Sequence, residues 1–408
     1  MKLSFVGLGY VGLVSSICLS SNKHQIFGYD KSKEKIDSLS SKKLYIDEKD
    51  LSKIFEKHYK QFNFSNSIND NLFDSDLVFI CVDTPYDNKN VLNLTNLYNA
   101  VQEIVDNKKD NRDLTILIRS TIPPGTIDDM NSKYSKNNLI FISNPEFLRE
   151  GNAVEDFFEG DVTVIGGNNK VGIDLCLELY KNFRSEKIVT NPKNAELIKF
   201  VNNSFHALKI TFANEIGQIC SSLDINSNEL MHIFKSDKQL NISEKYLTPG
   251  FAYGGSCLPK DTNGLKNLAK SLSVSVPIIS SIAKSNNDLI KKTASMINKT
   301  SPKNILIFGI AFKKGTDDLR GSPILELSKL LNLDQLHFID EKIEQDNLLF
   351  NNVKFIKEDI DYEPKDFDII IFNHSSIEKK LTQKIYNSRY IFDLNNVLDL
   401  KENVIRIT

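Results

Sequence analysis

Lys2-Leu3-Ser4-Phe5-Val6-Gly7-Leu8-Gly9-Tyr10-Val11-Gly12 is the stretch on which the fold is read. A short apolar run breaks into spaced glycines, and an amphipathic helical pattern follows to about Ser21. A second run, His24-Gln25-Ile26-Phe27-Gly28-Tyr29, stops at Asp30. Strand, glycine turn, helix, strand and terminal acid within about 30 residues make up a dinucleotide-binding unit. Gly7, Gly9 and Gly12 permit a tight turn and close approach of a pyrophosphate to a helix N-terminus. Asp30 can accept from a ribose hydroxyl, and its charge repels a 2′-phosphate, which points to NAD rather than NADP. A glycine-rich turn without a ligand is the alternative reading, and the flanking strand and acid argue against it.

Further βα units follow. Asp76-Leu77-Val78-Phe79-Ile80-Cys81-Val82 stops at Asp83-Thr84-Pro85, and Thr115-Ile116-Leu117-Ile118-Arg119-Ser120-Thr121 stops at Ile122-Pro123-Pro124-Gly125-Thr126. Leu139-Ile140-Phe141-Ile142-Ser143 leads into Asn144-Pro145-Glu146-Phe147-Leu148-Arg149-Glu150-Gly151, and Val162-Thr163-Val164-Ile165-Gly166 is another strand. Polar residues beyond successive strand ends are where an open parallel sheet builds its site, although for any single loop ordinary loop polarity is the better account.

From Asn194 to about Leu223, Ala195, Ile198, Val201, Phe205, Leu208, Phe212 and Ile216 recur at helical spacing. This predicts one unusually long helix, a spine between domains or a dimer core. Helical segments are also expected over about 226–236 and 261–296. A second nucleotide-domain pattern begins at Asn304-Ile305-Leu306-Ile307-Phe308-Gly309, with strands ending at Asp340 and near 367–372 and 390–394. It lacks the three-glycine turn, so a different ligand, or part of one, is expected there. The fold class is therefore α/β: two Rossmann-like domains joined by a central helical region with one long spine helix. The expected division is 1–193, 194–298 and 299–408.

Composition narrows the function. At 408 residues the chain exceeds one core, and 40% hydrophobic with 25% charged residues is ordinary for a globular protein. A net charge of −2 argues against an electrostatic nucleic-acid binder. The five cysteines (Cys18, Cys81, Cys176, Cys220, Cys257) form no CxxC or Cys/His cluster, so neither a disulfide framework nor a metal site is expected. The chain enters a strand directly from Met1, and no apolar run reaches membrane-spanning length. A cytoplasmic protein with no signal peptide and no membrane partner is expected.

One cysteine stands apart, within Pro249-Gly250-Phe251-Ala252-Tyr253-Gly254-Gly255-Ser256-Cys257-Leu258-Pro259-Lys260-Asp261. Small residues let the backbone approach a ligand, and Pro259-Lys260-Asp261 reads as a helix start. The helix dipole and Lys260 both favour thiolate, the nucleophilic form of a group whose free pKa is about 8.5. A buried structural thiol in a glycine turn accounts for the same local features.

Taken together and in order, GLGYVG (7–12), FICVDTP (79–85), RSTIPPGT (119–126), NPEFLREG (144–151), NAELIKFVNN (194–203), GGSCLPKD (254–261) and FKKGTDDLR (312–320) resemble the nucleotide-sugar 6-dehydrogenase family over essentially the whole chain. The resemblance implies a four-electron oxidation of a sugar primary alcohol to a carboxylate with two NAD and one water. It makes Cys257 the nucleophile, through a thiohemiacetal and a thioester. Lys199 and Asn203 would stabilise oxyanions, each such donor being worth about 3–4 kcal/mol of barrier. Glu150 and Asp261 would order or activate water, with Thr121 completing the network. Asp261 follows Cys257 by one helical turn, which lets both face one cavity.

By the same resemblance NAD would meet Gly7, Gly9, Tyr10, Val11, Gly12, Asp30, Lys35, Thr84, Thr121, Glu150 and Arg320. Phe147, Leu148, Arg149, Lys199, Asn203, Tyr246, Phe251, Tyr253, Gly254 and Lys313 would line the sugar-nucleotide site. His206 reads as packing. The segments 204–215 and 239–243, with Leu258 after the cysteine, are similar to GDP-mannose 6-dehydrogenases, so the expected substrate is GDP-mannose, with UDP-glucose as the alternative. A homodimer is expected from the family resemblance and the long helix rather than from any motif. Three departures stand out: Asp83 where glycine is common, Gly321 where an acid is usual, and Asn395 where an arginine is common. A two-electron hydroxy-acid dehydrogenase shares the domain plan but needs no cysteine, and a non-catalytic sensor would have lost the catalytic set.

Overall fold

The structure is a computed structural model. It describes the chain apart from residues 86, 88–90, 244–245, 247–248, 256, 312–318, 332–335, 341–342, 344–353, 356–362, 374–384, 396–397, 400 and 408, and apart from the side chains of 257, 260, 261, 264, 354 and 355. Its residues divide into two compact units, Met1–Ala207 and Leu208–Thr408.

The first unit alternates strands and helices: β1 (Lys2–Val6), α1 (Tyr10–Ser20), β2 (Gln25–Tyr29), α2 (Lys33–Ser40), α3 (Leu51–His58), β3 (Phe62–Ser65), α4 (Asp70–Phe73), β4 (Leu77–Ile80), α5 (Thr95–Asn107), β5 (Leu114–Ile118), α6 (Thr126–Lys133), β6 (Leu139–Ser143), α7 (Ala153–Glu159), β7 (Val162–Gly166), α8 (Lys170–Tyr180) and β8 (Glu186–Thr190). They form an 8-stranded sheet in the order β3-β2-β1-β4-β5-β6-β7-β8. β4 is apolar and buried at every position because helices cover both faces of the sheet. Leu3, Phe5, Leu77 and Phe79 enter one core, while Val6, Val78 and Ile80 enter the other. Phe5 and Phe79 are register partners, and their rings stack 4.5 Å apart. Strand order reverses between β1 and β4, which opens a crevice at their C-terminal ends. β7 departs from the parallel pattern: it meets β6 antiparallel, with Ser143 opposite Gly166.

α9 (Pro192–Ser222) is the expected long helix, at 31 residues. It begins in the first unit and ends in the second. α10 (Ser227–Ser236) follows. The helical stretch expected over 261–296 is two helices, α11 (Cys257–Ser271) and α12 (Pro277–Asn298). Ser273, at φ 58, breaks the run, and Pro277 sits at the start of α12, where its missing N–H costs nothing. The Glu215 carboxylate accepts from Ile278 N (2.9 Å) and Ile279 N (3.1 Å) in that first turn.

The second sheet comprises β9 (Ile305–Phe308), β10 (Leu336–Ile339), β11 (Lys354–Phe355), β12 (Ile369–Phe372), β13 (Tyr390–Asp393) and β14 (Val404–Arg406), with α13 (Pro323–Ser328) after β9. Its 6-stranded order, β11-β10-β9-β12-β13-β14, repeats that of the first six strands of the larger sheet. The turns match as well. Gly7 has φ +92 and Gly309 has φ +80. Asp30 accepts from Leu8 N at 2.9 Å, and Asp340 accepts from Ile310 N at 2.8 Å.

Phe79→Ala should cost about 3–5 kcal/mol in urea unfolding, because it removes a fully buried ring and leaves a cavity against Phe5. A loss below about 1 kcal/mol would show that the stacked pair does not hold that face together.

Candidate active site

The glycine turn is closed by contacts that no side chain would fit. A Cβ on Gly12 would lie 2.0 Å from Gly7 O, and one on Gly7 would lie 2.8 Å from Cys81 O. Gly9 differs: the nearest atom to a Cβ there is Asp83 Oδ1, an ordinary contact at 3.9 Å, and the residue lines a cavity. Tyr10 and Val11 begin α1, whose first N–H groups have no helical partner. A cavity of about 270 Å³ adjoins this turn, with Gly7, Gly9, Asp30, Lys35 and Asp83 in its wall. Lys35 Nζ lies 3.2 Å from Asp30 Oδ2, and Ser32 N donates to Asp30 Oδ1 at 2.9 Å. Lys35 thus orients the acid at the end of β2. Asp83 adds an exposed negative charge to the same wall.

The loops after β4 and β5 are joined, since Thr84 Oγ1 donates to Thr121 O at 2.7 Å and Ser120 Oγ to Val82 O at 2.7 Å. Glu196 on α9, 2% exposed, accepts from Gly125 N (2.5 Å) and Ile127 N (2.7 Å) at the start of α6. Burial raises its carboxyl above the usual range, partly offset by those two N–H groups.

The loop after β6 rests on Asn144, which is fully buried and accepts from Arg119 Nη1 (2.8 Å) and Tyr180 OH (2.7 Å). Glu146 Oε2 accepts from Leu148 N at 2.7 Å, and Glu146 Oε1 lies 2.8 Å from Lys199 Nζ. The Lys199 ammonium is therefore held in place, with N–H capacity left for a further acceptor. Phe147, Leu148, Glu146 and Arg119 line a cavity of about 240 Å³. Arg149 is drawn to Asp156 instead (Nη2–Oδ1 2.6 Å), and it holds the Asp156 carboxyl below the usual range. Glu150 is exposed, just before Gly151 at φ +86; Asn203, also exposed, lies one turn beyond Lys199 on α9.

In the second unit the approach to Cys257 is braced by backbone. Phe251 N donates to Asn395 Oδ1 at 3.1 Å, and Tyr253 N to Asn286 Oδ1 at 2.9 Å. A Cβ on Gly254 would lie 2.3 Å from Gly321 O; Gly321 itself has φ +60, and its Cβ would lie 2.7 Å from Gly255 O. Two of the departures thus have a physical account: glycine at 321 admits this approach, and the Asn395 amide ties the 250–251 segment. Cys257 is the first residue of α11 and Asp261 lies one turn on. The side chains of Cys257, Lys260 and Asp261, and Lys313 as a whole, lie outside the described residues. Tyr246 is 84% exposed at φ 64, and Arg320 is exposed beside Gly321. Cys18, Cys81, Cys176 and Cys220 are buried and free; burial pushes the thiols of Cys81 and Cys176 up to about 12.

Comparison with known proteins agrees across the chain. The NAD binding domain of the UDP-glucose/GDP-mannose dehydrogenase family matches residues 1–184, its central domain 193–288 and its UDP binding domain 306–400. The chain belongs to that family. GDP-mannose 6-dehydrogenase of Pseudomonas aeruginosa is 36% identical over 374 residues, covering 88% of this chain and 86% of the relative. UDP-glucose 6-dehydrogenase of Rickettsia prowazekii is 34% identical over 425 residues, covering 98% and 96%. A crystallised ternary complex of GDP-mannose dehydrogenase from Pseudomonas aeruginosa superposes with a TM-score of 0.92 at 31% identity, covering 100% of both chains.

As a member of the UDP-glucose/GDP-mannose dehydrogenase family, the chain is an NAD-dependent nucleotide-sugar 6-dehydrogenase. The first unit fits the cofactor: a cavity lined by Gly9, a free helix start and an oriented Asp30 are what a dinucleotide requires. Among the described residues no helix is long and apolar enough to cross a membrane, and no group of His, Cys, Asp and Glu could hold a metal. Sequence reasoning passed over Glu146 and Glu196, although both lie inside motifs it singled out. It also passed over Glu48, which no motif marks.

Gly12→Ala tests the turn. Alanine is a good helix former, so α1 should persist while the Gly7 carbonyl is displaced. NADH affinity, read by fluorescence titration, should fall about tenfold or more. Unchanged affinity would mean that the turn does not shape the cofactor site.

Proposed function

We propose that the chain oxidises the 6-hydroxymethyl of GDP-mannose to the carboxylate through a covalent intermediate on Cys257. The observation that carries the covalent step is the position of Cys257 at the start of α11, a 15-residue helix, while the other four cysteines are buried. A thiol there is favoured as thiolate by the unpaired N–H groups of the helix start. NAD, when bound, accepts a hydride in each of two oxidations. Loss of the hydroxyl proton and of one hydride leaves the aldehyde, and the Cys257 thiolate adds to its carbonyl carbon to give a thiohemiacetal. Loss of the thiohemiacetal hydroxyl proton and of the second hydride gives the thioester, which water cleaves to the carboxylate and free thiol. Lys199, oriented by Glu146, and Asn203 stabilise the oxyanions, while Glu150, Asp261 and Thr121 order the water.

Residues 1–193 would carry NAD, 194–298 the catalytic and dimerisation region, and 299–408 the nucleotide end of the substrate, with Arg320 reaching the cofactor and Lys313 the substrate. GDP-mannose is preferred over UDP-glucose because segments 204–215 and 239–243 and Leu258 are similar to GDP-mannose 6-dehydrogenases, and because the solved GDP-mannose dehydrogenase is 31% identical, against 27% for a UDP-glucose dehydrogenase from Pyrobaculum islandicum. We also place the enzyme in the cytoplasm as a homodimer. Val201, Phe205, Leu208 and Ile210 of α9 are 40–63% exposed, an apolar surface of the kind that partners cover.

The test is NADH formed per sugar consumed, with GDP-mannose and UDP-glucose in separate assays. The expected result is two NADH per GDP-mannose, abolished in Cys257→Ala. The same ratio with UDP-glucose alone overturns the substrate and keeps the mechanism. One NADH per sugar, unaffected by Cys257→Ala, removes the covalent step.

A further inference from the structure

The connection between α2 and α3 belongs to no motif, yet it reaches two of them. Tyr45 OH donates to Leu8 O in the glycine turn. Glu48 is only 6% exposed, although Asp47, Lys49 and Asp50 beside it are polar. Its carboxylate accepts from Tyr10 OH, from Gly151 N at 2.9 Å and from Ala153 N at 3.0 Å. Tyr10 opens α1 at the cofactor turn. Gly151 and Ala153 follow Glu150 and lead into α7. One carboxylate therefore bridges two segments more than a hundred residues apart in sequence, Tyr10 lying 38 residues before Glu48 and Gly151 lying 103 after it.

Among the described residues the hydrogen-bond partners of this group are all donors, and no cation forms an ion pair with it. Burial would raise its carboxyl, but the hydrogen bonds from Tyr10, Gly151, Ala153 and Lys49 bring it below the usual range. It is a fixed negative charge whose oxygens are committed to holding chain in place.

We propose that Glu48 is a positioning residue that locks the NAD-binding turn and the loop carrying Glu150 into one geometry. Cofactor affinity and turnover then both depend on a carboxylate that touches neither cofactor nor sugar. The turnover half rests on the reading of Glu150 given above; the affinity half rests only on the NAD domain.

Glu48→Gln is matched in size and replaces one acceptor oxygen by an NH₂ that faces donors. In the full-length protein the NADH dissociation constant should rise about tenfold, the loss of one hydrogen bond to a charged group. The kcat should fall, while KM for the nucleotide sugar stays within about twofold. Tyr10→Phe removes a single donor and should act in the same direction, by about threefold. The double variant should lose less NADH affinity than the two single losses combined, because Glu48→Gln already takes the charge from the group to which Tyr10 donates.

A folded Glu48→Gln with a lower Tm but unchanged NADH affinity and kcat would reduce the residue to a structural role and overturn the proposal. Strictly additive losses in the double variant would do the same. If Glu48→Gln does not fold, Tyr10→Phe decides, and unchanged NADH affinity there is the overturning result. NADH titration involves neither sugar nor Cys257, so a wild-type protein that binds NADH but oxidises neither sugar would sink the proposed function and leave this comparison intact.

Discussion

A buried carboxylate bound to the main-chain N–H groups of a remote turn is the interaction on which this structure depends. Asp30 holds Leu8, Glu48 holds Gly151 and Ala153, Glu196 holds Gly125 and Ile127, Glu215 holds Ile278 and Ile279, and Asp340 holds Ile310. In each case the N–H groups belong to a turn or helix start that lacks partners of its own. Taking such a carboxylate out of water is costly unless donors replace the solvent, and here they do. The acids that fix these turns mostly come from elsewhere in the chain.

The two sheets use one plan for different ends. Both have the same strand order about a central first strand, a positive-φ glycine after it, and an acid at the end of the next strand that accepts from the turn. Only the first turn adds Gly9 and Gly12, and with them the side-chain-free backbone that a pyrophosphate approaches. The second unit spends its close glycine contacts elsewhere, at Gly254 and Gly321, beside the segment that leads to Cys257.

What the sequence made legible follows from how local each signal is. The unit from Lys2 to Asp30 is read within one window, because turn, helix and strand each announce themselves. The α/β class, the long helix and the nucleotide-sugar family were legible in the same way. Glu48 was not: it sits among polar residues, and its burial arises only when α1 and α7 fold over it. The antiparallel β7 was missed because an apolar five-residue run carries no direction. The break between α11 and α12 is marked by Pro277, which lies inside the stretch expected to be helical over 261–296. Glu146 was quoted inside its motif, but its contact with Lys199 is tertiary and lies beyond any spacing rule.

The central claim is that Cys257 carries the substrate during turnover. The direct measurement is mass spectrometry of the acid-quenched enzyme, digested after a single turnover with NAD and whichever nucleotide sugar supports NADH formation. The account predicts a peptide containing Cys257 that is heavier by the sugar-nucleotide acyl group and that disappears on longer incubation. No adduct at Cys257 while both NADH form, or an adduct on another residue, would contradict it.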